Sequence, residues 1–140
     1  VKQEIESKLE RLEQRVSRLR EHSDTTLDEL EEDNTLRSAI ERNFQVALEI
    51  VLDTCSMVVS YEELEKPDDY RDMILELGEA GILPDEFAER FEAAAGFRNV
   101  LVHQYADVDV ERLHGYLTEN LDDFDTFARE IAAYAEGLEE

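Results

Sequence analysis

The spacing of apolar residues is the feature that most restricts how this chain can fold. Near both ends of its 140 residues, apolar side chains recur at alternating steps of four and three positions. They are Ile5, Leu9, Leu12, Val16 and Leu19 near the start, and Leu117, Leu121, Phe124, Ala128, Ile131, Ala135 and Leu138 near the end. This is the spacing of a helical face that packs on a neighbouring helix, and we find no strand-like alternation. The sequence therefore predicts an all-α protein.

Turn-forming residues and helix-start signals divide the chain into about four long helices and one short helix. The first is expected to be an N-terminal amphipathic helix. We predict the helices at residues 1–22 with a continuation to about 30, and at 36–60, 70–77, 84–105 and from about 110 to the end. Together they predict an up-and-down helical bundle that forms a single domain over residues 1–140.

The charge of the chain is strongly negative. Fourteen Lys and Arg residues face 37 Asp and Glu residues, which gives a formal net charge of −23. Such a surface opposes non-specific binding to nucleic acid. An acid-rich, lysine-poor composition favours a salt-loaded cytosol, as in a halophile, where molar salt shortens the Debye length to about 3 Å. The alternative is a surface that repels nucleic acid because the protein never touches it.

The sequence also predicts where the protein works. We find no apolar run long enough to cross a bilayer, and the start of the chain carries Lys2, Glu4 and Glu6, unlike a signal peptide. A single cysteine, Cys55, cannot form an intrachain disulfide and is expected to be a small buried apolar residue. We therefore expect a cytoplasmic protein without membrane contact.

One segment stands apart from the acidic background. Residues 93–106 contain no carboxylate and form the longest acid-free run, whereas the next longest, residues 54–61, has 8 residues. The longer run contains Arg98, His103 and Tyr105, which are residue types that bind phosphate and transfer protons. This segment is our candidate functional site.

Arg98 lies where the helical pattern expects an apolar residue. The face in question comprises Phe87, Phe91, Ala94, Arg98, Leu101 and Tyr105. Because an unpaired charge on a packed face is expensive, Arg98 should have a carboxylate partner or open into a cleft that binds an anion. His103 lies about 140° around the helix from Arg98 and shares its face with Gly96 and Asn99. Small and polar residues on that face would let a second helix approach.

The same residues carry a resemblance to a known family. Arg98, four residues, His103, one residue and Tyr105 form the pattern R-x4-H-x-Y, within Ala95-Gly96-Phe97-Arg98-Asn99-Val100-Leu101-Val102-His103-Gln104-Tyr105. Together with Glu41-Arg42-Asn43-Phe44-Gln45-Val46-Ala47 and Gly81-Ile82-Leu83-Pro84, this resembles the HepT toxins, a branch of the HEPN superfamily of small helical ribonucleases. The similarity extends over about residues 5 to 135.

The resemblance implies a metal-independent RNA endonuclease without a cofactor. Arg98 would bind phosphate and stabilise charge at phosphorus, and His103 would act as general acid or base. The 2′-hydroxyl of RNA, with transfer RNA as the family-level guess for the substrate, would be the nucleophile. In the HEPN superfamily, Arg and His of two protomers meet across a homodimer interface. Asn99 would support the site by orienting His103 or by binding substrate.

The resemblance also implies regulation by a partner. HepT toxins are similar in being paired with an MntA nucleotidyltransferase antitoxin, which attaches AMP to the tyrosine of the motif. The matching residue here is Tyr105, two helical turns from Arg98 on the same face. An AMP group there would add negative charge and bulk beside the phosphate site, and would block RNA.

Two alternatives remain open at this stage. The chain could be a non-catalytic helical dimer module that binds and regulates a nucleotidyltransferase or binds nucleotide, and the heavy negative charge favours this. The basic stripe of Arg11, Arg15, Arg18 and His22 on the first helix is either a solvated face or a surface for RNA or a partner. His22 and His114 are expected to be structural.

Overall fold

The computed structural model describes residues 1–103 and 108–138, with the backbone alone for His103. Within these residues the chain forms seven helices and no strand. They are α1 (Lys2–Glu21), α2 (Leu27–Glu32), α3 (Asn34–Tyr61), α4 (Tyr70–Glu79), α5 (Asp85–His103), α6 (Val110–Glu119) and α7 (Asp122–Glu136). The prediction of an all-α fold is confirmed.

Helix α1 buries the apolar face that its spacing predicts. Its buried residues are Ile5, Leu12, Val16 and Leu19, and the helix packs on α3 and α7. The expected continuation is a separate short helix, because a new helix start intervenes. The Thr26 hydroxyl accepts a hydrogen bond from the Glu29 N–H at 3.1 Å, and the Glu29 carboxylate accepts one from the Thr26 N–H at 3.3 Å. This reciprocal capping begins α2.

Helix α3 is the central helix of the bundle. It packs on α1, α2, α4 and α5, and Cys55 and Thr54 in its C-terminal half are fully buried. Burial raises the pKa of the Cys55 thiol, as expected of a small apolar residue in the core. The Thr54 hydroxyl is satisfied because it donates to the Ile50 carbonyl at 2.7 Å.

The length and composition of α3 correct one expectation from the sequence. Among the described helices it alone is long and apolar enough to cross a membrane, with a mean hydropathy of 1.3 over an 18-residue window. The expectation that no apolar stretch reaches this length was therefore wrong. Because 61% of that window is buried inside the fold, the apolar surface of α3 is the core of the bundle.

The final long helix expected from the sequence is divided in two. Helix α6 ends where the Asn120 N–H bonds to the Tyr116 carbonyl at 3.2 Å, and α7 begins at Asp122. The buried side chains Leu117, Leu121 and Phe124 continue across the break. The regular spacing of apolar residues therefore survives the interruption, and for this reason it does not reveal the break.

Helices α4 and α5 pack closely and run antiparallel. Gly78 makes this approach possible, because a Cβ atom there would lie 2.7 Å from the Cβ of Ala88. At the other end of α4, the ring of Tyr70 lies against the guanidinium of Arg98. The first turn of α4 is therefore held against the C-terminal half of α5, where the candidate motif lies.

Candidate active site

Helix α5 is anchored by aromatic side chains that precede the motif. Phe91 contacts Phe124 edge-on with ring centroids 6.1 Å apart, and Phe97 contacts Phe44 in the same way at 5.8 Å. Phe97 is also 4.6 Å from the ring of Tyr116. These contacts fix the helix between α3, α6 and α7, so Arg98 projects from a rigid element.

Arg98 is half-buried and touches three different groups. Its Nη1 donates a hydrogen bond to the Oδ1 of Asn99 at 3.2 Å, and its Nη2 lies 4.0 Å from a carboxylate oxygen of Glu49. Its Cζ lies 5.3 Å from the ring centroid of Tyr70. Of the two outcomes expected for this residue, the carboxylate partner is present, at the limit of ion-pair distance, and the anion-binding cleft stays a prediction.

The Nε–H is a third donor of the Arg98 guanidinium. This nitrogen is buried and has no hydrogen-bond partner among the described residues. Buried donors in folded proteins are nearly always paired, so an unpaired one calls for an explanation. An arginine whose Nε has no partner among the described residues, and whose nearest carboxylate stands at 4.0 Å, has donors to spare for the oxygens of a phosphate group.

Asn99 lies beside Arg98 and is half-buried. Its side-chain oxygen is engaged by the Arg98 guanidinium. This contact holds the plane of the guanidinium, so the structure brings Asn99 together with Arg98. The expected contact of Asn99 with His103 involves a side chain outside the described residues.

The sequence predicts that the face containing Gly96 is open to a partner helix, but the structure shows Gly96 covered. Gly96 is buried, and a Cβ atom there would lie 2.2 Å from Nη2 of Arg71 and 2.9 Å from its Cζ. Helix α4 of the same chain therefore covers the glycine with the Arg71 guanidinium. The second helix that approaches this position is α4, which corrects the sequence-based interpretation of Gly96.

Of the other two motif residues, the structure describes only the backbone of His103. His103 is the last residue of α5, where the described helix ends. The His103 side chain and Tyr105 lie outside the described residues, so the roles predicted for them stay predictions. Sequence reasoning also missed Glu49, Tyr70 and Arg71, which come from α3 and α4 and carry no local signal that would point to the motif.

Two of the remaining candidates from the sequence, His114 and Arg15, have structural contacts. His114 bonds through Nε2 to the Thr25 carbonyl oxygen at 2.9 Å and so ties α6 to the loop before α2. Arg15 of the basic stripe donates to the Oδ1 of Asn43 at 3.1 Å. In the part of the chain that the structure describes, no three His, Cys, Asp or Glu side chains are grouped as a metal site.

An apolar cavity of about 220 Å³ opens on the side of α5 opposite to α4. Its wall consists mainly of Phe44, Leu48, Phe91, Ala94, Phe97 and Tyr116. At its edge, Arg90 and Asp123 form an ion pair at 3.0 Å. On this side, α5 therefore borders an apolar cavity that α3, α6 and α7 also line.

Comparison with known families identifies the chain. The family model described as ribonuclease HepT-like matches residues 9–131, which include Arg98, His103 and Tyr105. The chain belongs to the HepT-like ribonucleases. This confirms the resemblance seen in the sequence at the level of the family, and with it the prediction of an enzyme of the ribonuclease class.

Individual relatives of this HepT-like chain agree. The tRNA nuclease HepT of Aphanizomenon flos-aquae is 26% identical over 136 residues, which span 97% of this chain and 92% of the relative. The mRNA nuclease HepT of Shewanella oneidensis is 23% identical over 105 residues, 75% of this chain and 79% of the relative. The fold matches the tri-AMPylated Shewanella oneidensis HEPN toxin in complex with MNT antitoxin, with a TM-score of 0.83, 21% identity and coverage of 92% and 96% of the two chains.

Proposed function

We propose that this HepT-like chain is a metal-independent RNA endonuclease and the toxin of a type VII-like toxin–antitoxin pair. The observation that carries the proposal is the buried Nε of Arg98, which has no hydrogen-bond partner among the described residues and lies on the helix of the R-x4-H-x-Y motif. A guanidinium with unused donors suits a phosphodiester, which has charged oxygens and needs charge stabilisation as it reacts.

The chemistry follows from the residue types. The 2′-hydroxyl oxygen forms a bond to phosphorus while the bond from phosphorus to the 5′-oxygen of the next nucleotide breaks. Arg98 stabilises the charge that develops on the phosphoryl oxygens. A homodimer supplies two copies of His103, so one accepts the proton of the hydroxyl and the other protonates the leaving oxygen. The products are a 2′,3′-cyclic phosphate and a 5′-hydroxyl.

The homodimer is part of this proposal, and the apolar cavity beside α5 supports it. The apolar cavity beside Ala94 and Phe97 lies one helical turn before Arg98. A second copy that covers this cavity would bring two motif helices together. We expect Ala94→Arg to give a monomer in sedimentation analysis and to lower RNA cleavage. Ala132→Arg, on the α1–α7 side, is the matched control. A dimeric Ala94→Arg protein would contradict this surface.

The nuclease is tested by cleavage of transfer RNA in about 2 M KCl, where long-range repulsion is screened. His103→Ala should lower the rate by about 10²- to 10⁴-fold, and Arg98→Ala by about 10²- to 10³-fold. Arg129→Ala, an exposed arginine on α7, removes the same charge away from the motif and should cut normally. Messenger RNA is the second substrate to try, because one relative is named for each.

We further propose that a nucleotidyltransferase antitoxin silences the nuclease by transferring AMP to Tyr105. A relative with this fold is tri-AMPylated and bound to its antitoxin. Co-expression with the neighbouring nucleotidyltransferase gene should increase the intact mass by one or more AMP units. Tyr105→Phe should abolish the gain, and Tyr61→Phe, at an exposed tyrosine at the end of α3, should keep it. An unchanged mass with an active partner would contradict the AMP mechanism.

The net charge of −23 supports a place of action in a salt-rich cytoplasm. It also favours the second candidate function, a non-catalytic helical dimer that binds and regulates the nucleotidyltransferase or binds nucleotide. The two differ in one result. RNA cleavage that persists in molar salt and is lost in correctly folded His103→Ala supports the nuclease, whereas an intact complex that never cuts RNA supports the module.

A further inference from the structure

Two neighbouring residues of α4 contact the motif helix at different points. The ring of Tyr70 lies 5.3 Å from Cζ of Arg98. The guanidinium of Arg71 lies on Gly96, so closely that a Cβ atom there would be 2.2 Å from its Nη2 and 3.0 Å from its Nε. The first turn of α4 therefore does two things. The Tyr70 ring holds the Arg98 guanidinium, and Arg71 adds a second guanidinium beside α5.

The position of Gly96 shows where this second guanidinium lies. Residues 96, 99 and 103 follow steps of three and four, so their helical positions share one face. Seven residues of helix rise by about 10 Å, so the Arg71 guanidinium lies about two turns before the position of His103. Arg98 lies between these two levels. Two arginine head groups therefore lie along the C-terminal half of α5, that of Arg98 from α5 itself and that of Arg71 from α4.

The surroundings of Arg71 leave its charge available. Arg71 is exposed, and its side chain has no hydrogen bond or ion pair with any other side chain that the structure describes. The nearby carboxylate of Asp69 is engaged with the backbone N–H of Arg71 at 2.9 Å, where it caps α4. By contrast, Arg90 is paired with Asp123 at 3.0 Å. A cation that rests on a glycine backbone keeps its donors free for an anion.

We propose that Arg71 binds a backbone phosphate of the RNA next to the phosphate that Arg98 holds. The inference rests on the proposed ribonuclease function and adds a second phosphate contact to it. RNA is a chain of evenly spaced anions, so two guanidinium groups along one helix can hold two phosphates of one strand. Gly96 has a role in this arrangement, because any side chain at that position would displace the Arg71 head group.

A contact to a non-reacting phosphate should act on binding more than on the chemical step. We therefore expect Arg71→Ala to raise KM by about tenfold with little change in kcat. In RNA binding by the inactive His103→Ala protein, Arg71→Ala should make the slope of log affinity against log salt more positive by about 0.7 to 1, because one phosphate contact and its counterion release are lost. Arg71→Lys keeps the positive charge and should retain most of that slope.

Gly96→Ala tests the same contact without removing the arginine. The added methyl group displaces a flexible head group, so RNA binding should weaken in the presence of Arg71. In the Arg71→Ala background the same change should have little further effect. Arg129→Ala is the control for the loss of one charge, and unfolding midpoints of all variants report on the fold.

The outcomes are distinguishable. A wild-type enzyme that cuts RNA, with KM and salt slope in Arg71→Ala equal to those of Arg129→Ala, would overturn the role of Arg71 and leave the nuclease intact. A Gly96→Ala effect that is equally large with and without Arg71 would overturn the link between the two residues. A wild-type protein that neither cuts nor binds RNA at any salt concentration would remove the proposed function, and this inference with it.

Discussion

Arg98 is the residue on which the candidate site depends. Its guanidinium is oriented by Asn99 and Tyr70, yet its buried Nε has no partner among the described residues. A buried donor left without a partner costs about 1–3 kcal/mol. A phosphate oxygen that reaches this nitrogen would recover part of that free energy, so ligand binding and the stability of the site are coupled.

Replacement of Arg98 by lysine should show how much of its effect on cleavage comes from charge and how much from the geometry of the guanidinium. Lysine keeps the positive charge but loses the planar set of donors and the stacking on Tyr70. We expect Arg98→Lys to lower kcat for RNA cleavage by about 10²-fold while the circular dichroism spectrum stays unchanged. Arg129→Lys on α7 is the matched control. Full activity in Arg98→Lys would show that a point charge is sufficient and that the geometry described here is not needed.

Glu49 should oppose the binding of RNA. Its carboxylate lies 4.0 Å from the Arg98 guanidinium, where it competes with a phosphate and repels it. We expect Glu49→Gln to lower KM for RNA by about two- to five-fold, since a partly exposed ion pair is worth little. Asp53→Asn removes the same charge one turn later on α3, at an exposed position, and should have a smaller effect. Equal effects would indicate general charge reduction.

The sequence could predict Arg98 but not its partners. A charge on an apolar helical face is visible from spacing alone, so the sequence is sufficient to mark Arg98. Glu49 and Arg71 lie on other helices, and their approach depends on how α3 and α4 pack on α5. In a chain with 37 acidic residues, no local pattern marks one glutamate as the neighbour of Arg98.

The contact between α4 and α5 is the element-level feature that shapes the site. Gly78 is a point of close approach, and its distance to Ala88 leaves no room for a methyl group. We expect Gly78→Ala to reduce the free energy of unfolding by about 1–3 kcal/mol, because neither backbone can move easily. RNA cleavage should fall as well, since the first turn of α4 carries Tyr70 and Arg71.

Gly115 offers the matched control in another helix. A Cβ atom there would meet nothing within 4 Å. Alanine in the middle of a helix is preferred over glycine by about 0.5–1 kcal/mol, so Gly115→Ala should raise the free energy of unfolding. Chemical denaturation of both variants measures the difference. Equal changes in Gly78→Ala and Gly115→Ala would contradict the tight packing of α4 on α5.

At the level of elements, periodicity predicted the helices better than their ends. The faces of α1 and α3 are buried as expected, because spacing determines which side of a helix is apolar. The break between α6 and α7 was missed because Leu117, Leu121 and Phe124 keep the same spacing through it. Spacing reports on the buried side of the chain, and it is insensitive to one interrupted turn of backbone.

The charge of the whole molecule sets the conditions in which it is stable. A net charge of −23 on 140 residues repels itself in dilute buffer. Salt shortens the range of this repulsion, from about 10 Å at 0.1 M to about 3 Å at 1 M. Both folding and the approach of RNA should therefore improve as salt concentration rises, opposite to the usual salt dependence of a basic nuclease.

Thermal unfolding at increasing salt tests this directly. We expect the unfolding midpoint to rise by several degrees between about 0.1 and 2 M KCl, since screening removes repulsion that is larger in the compact state. NaCl at equal ionic strength should give a similar rise, which separates screening from specific ion binding. A midpoint that stays constant or falls would contradict the interpretation of the acidic composition.

The most direct test of the account is the chemistry of the cut itself. Purified protein in about 2 M KCl with EDTA is given one RNA sequence in two forms, with free 2′-hydroxyls and with 2′-O-methyl groups. The proposed reaction predicts cleavage of the first form only, with 2′,3′-cyclic phosphate ends, and loss of that cleavage in His103→Ala. Cleavage of the methylated RNA, or cleavage abolished by EDTA, would contradict a metal-independent reaction that uses the substrate's own hydroxyl.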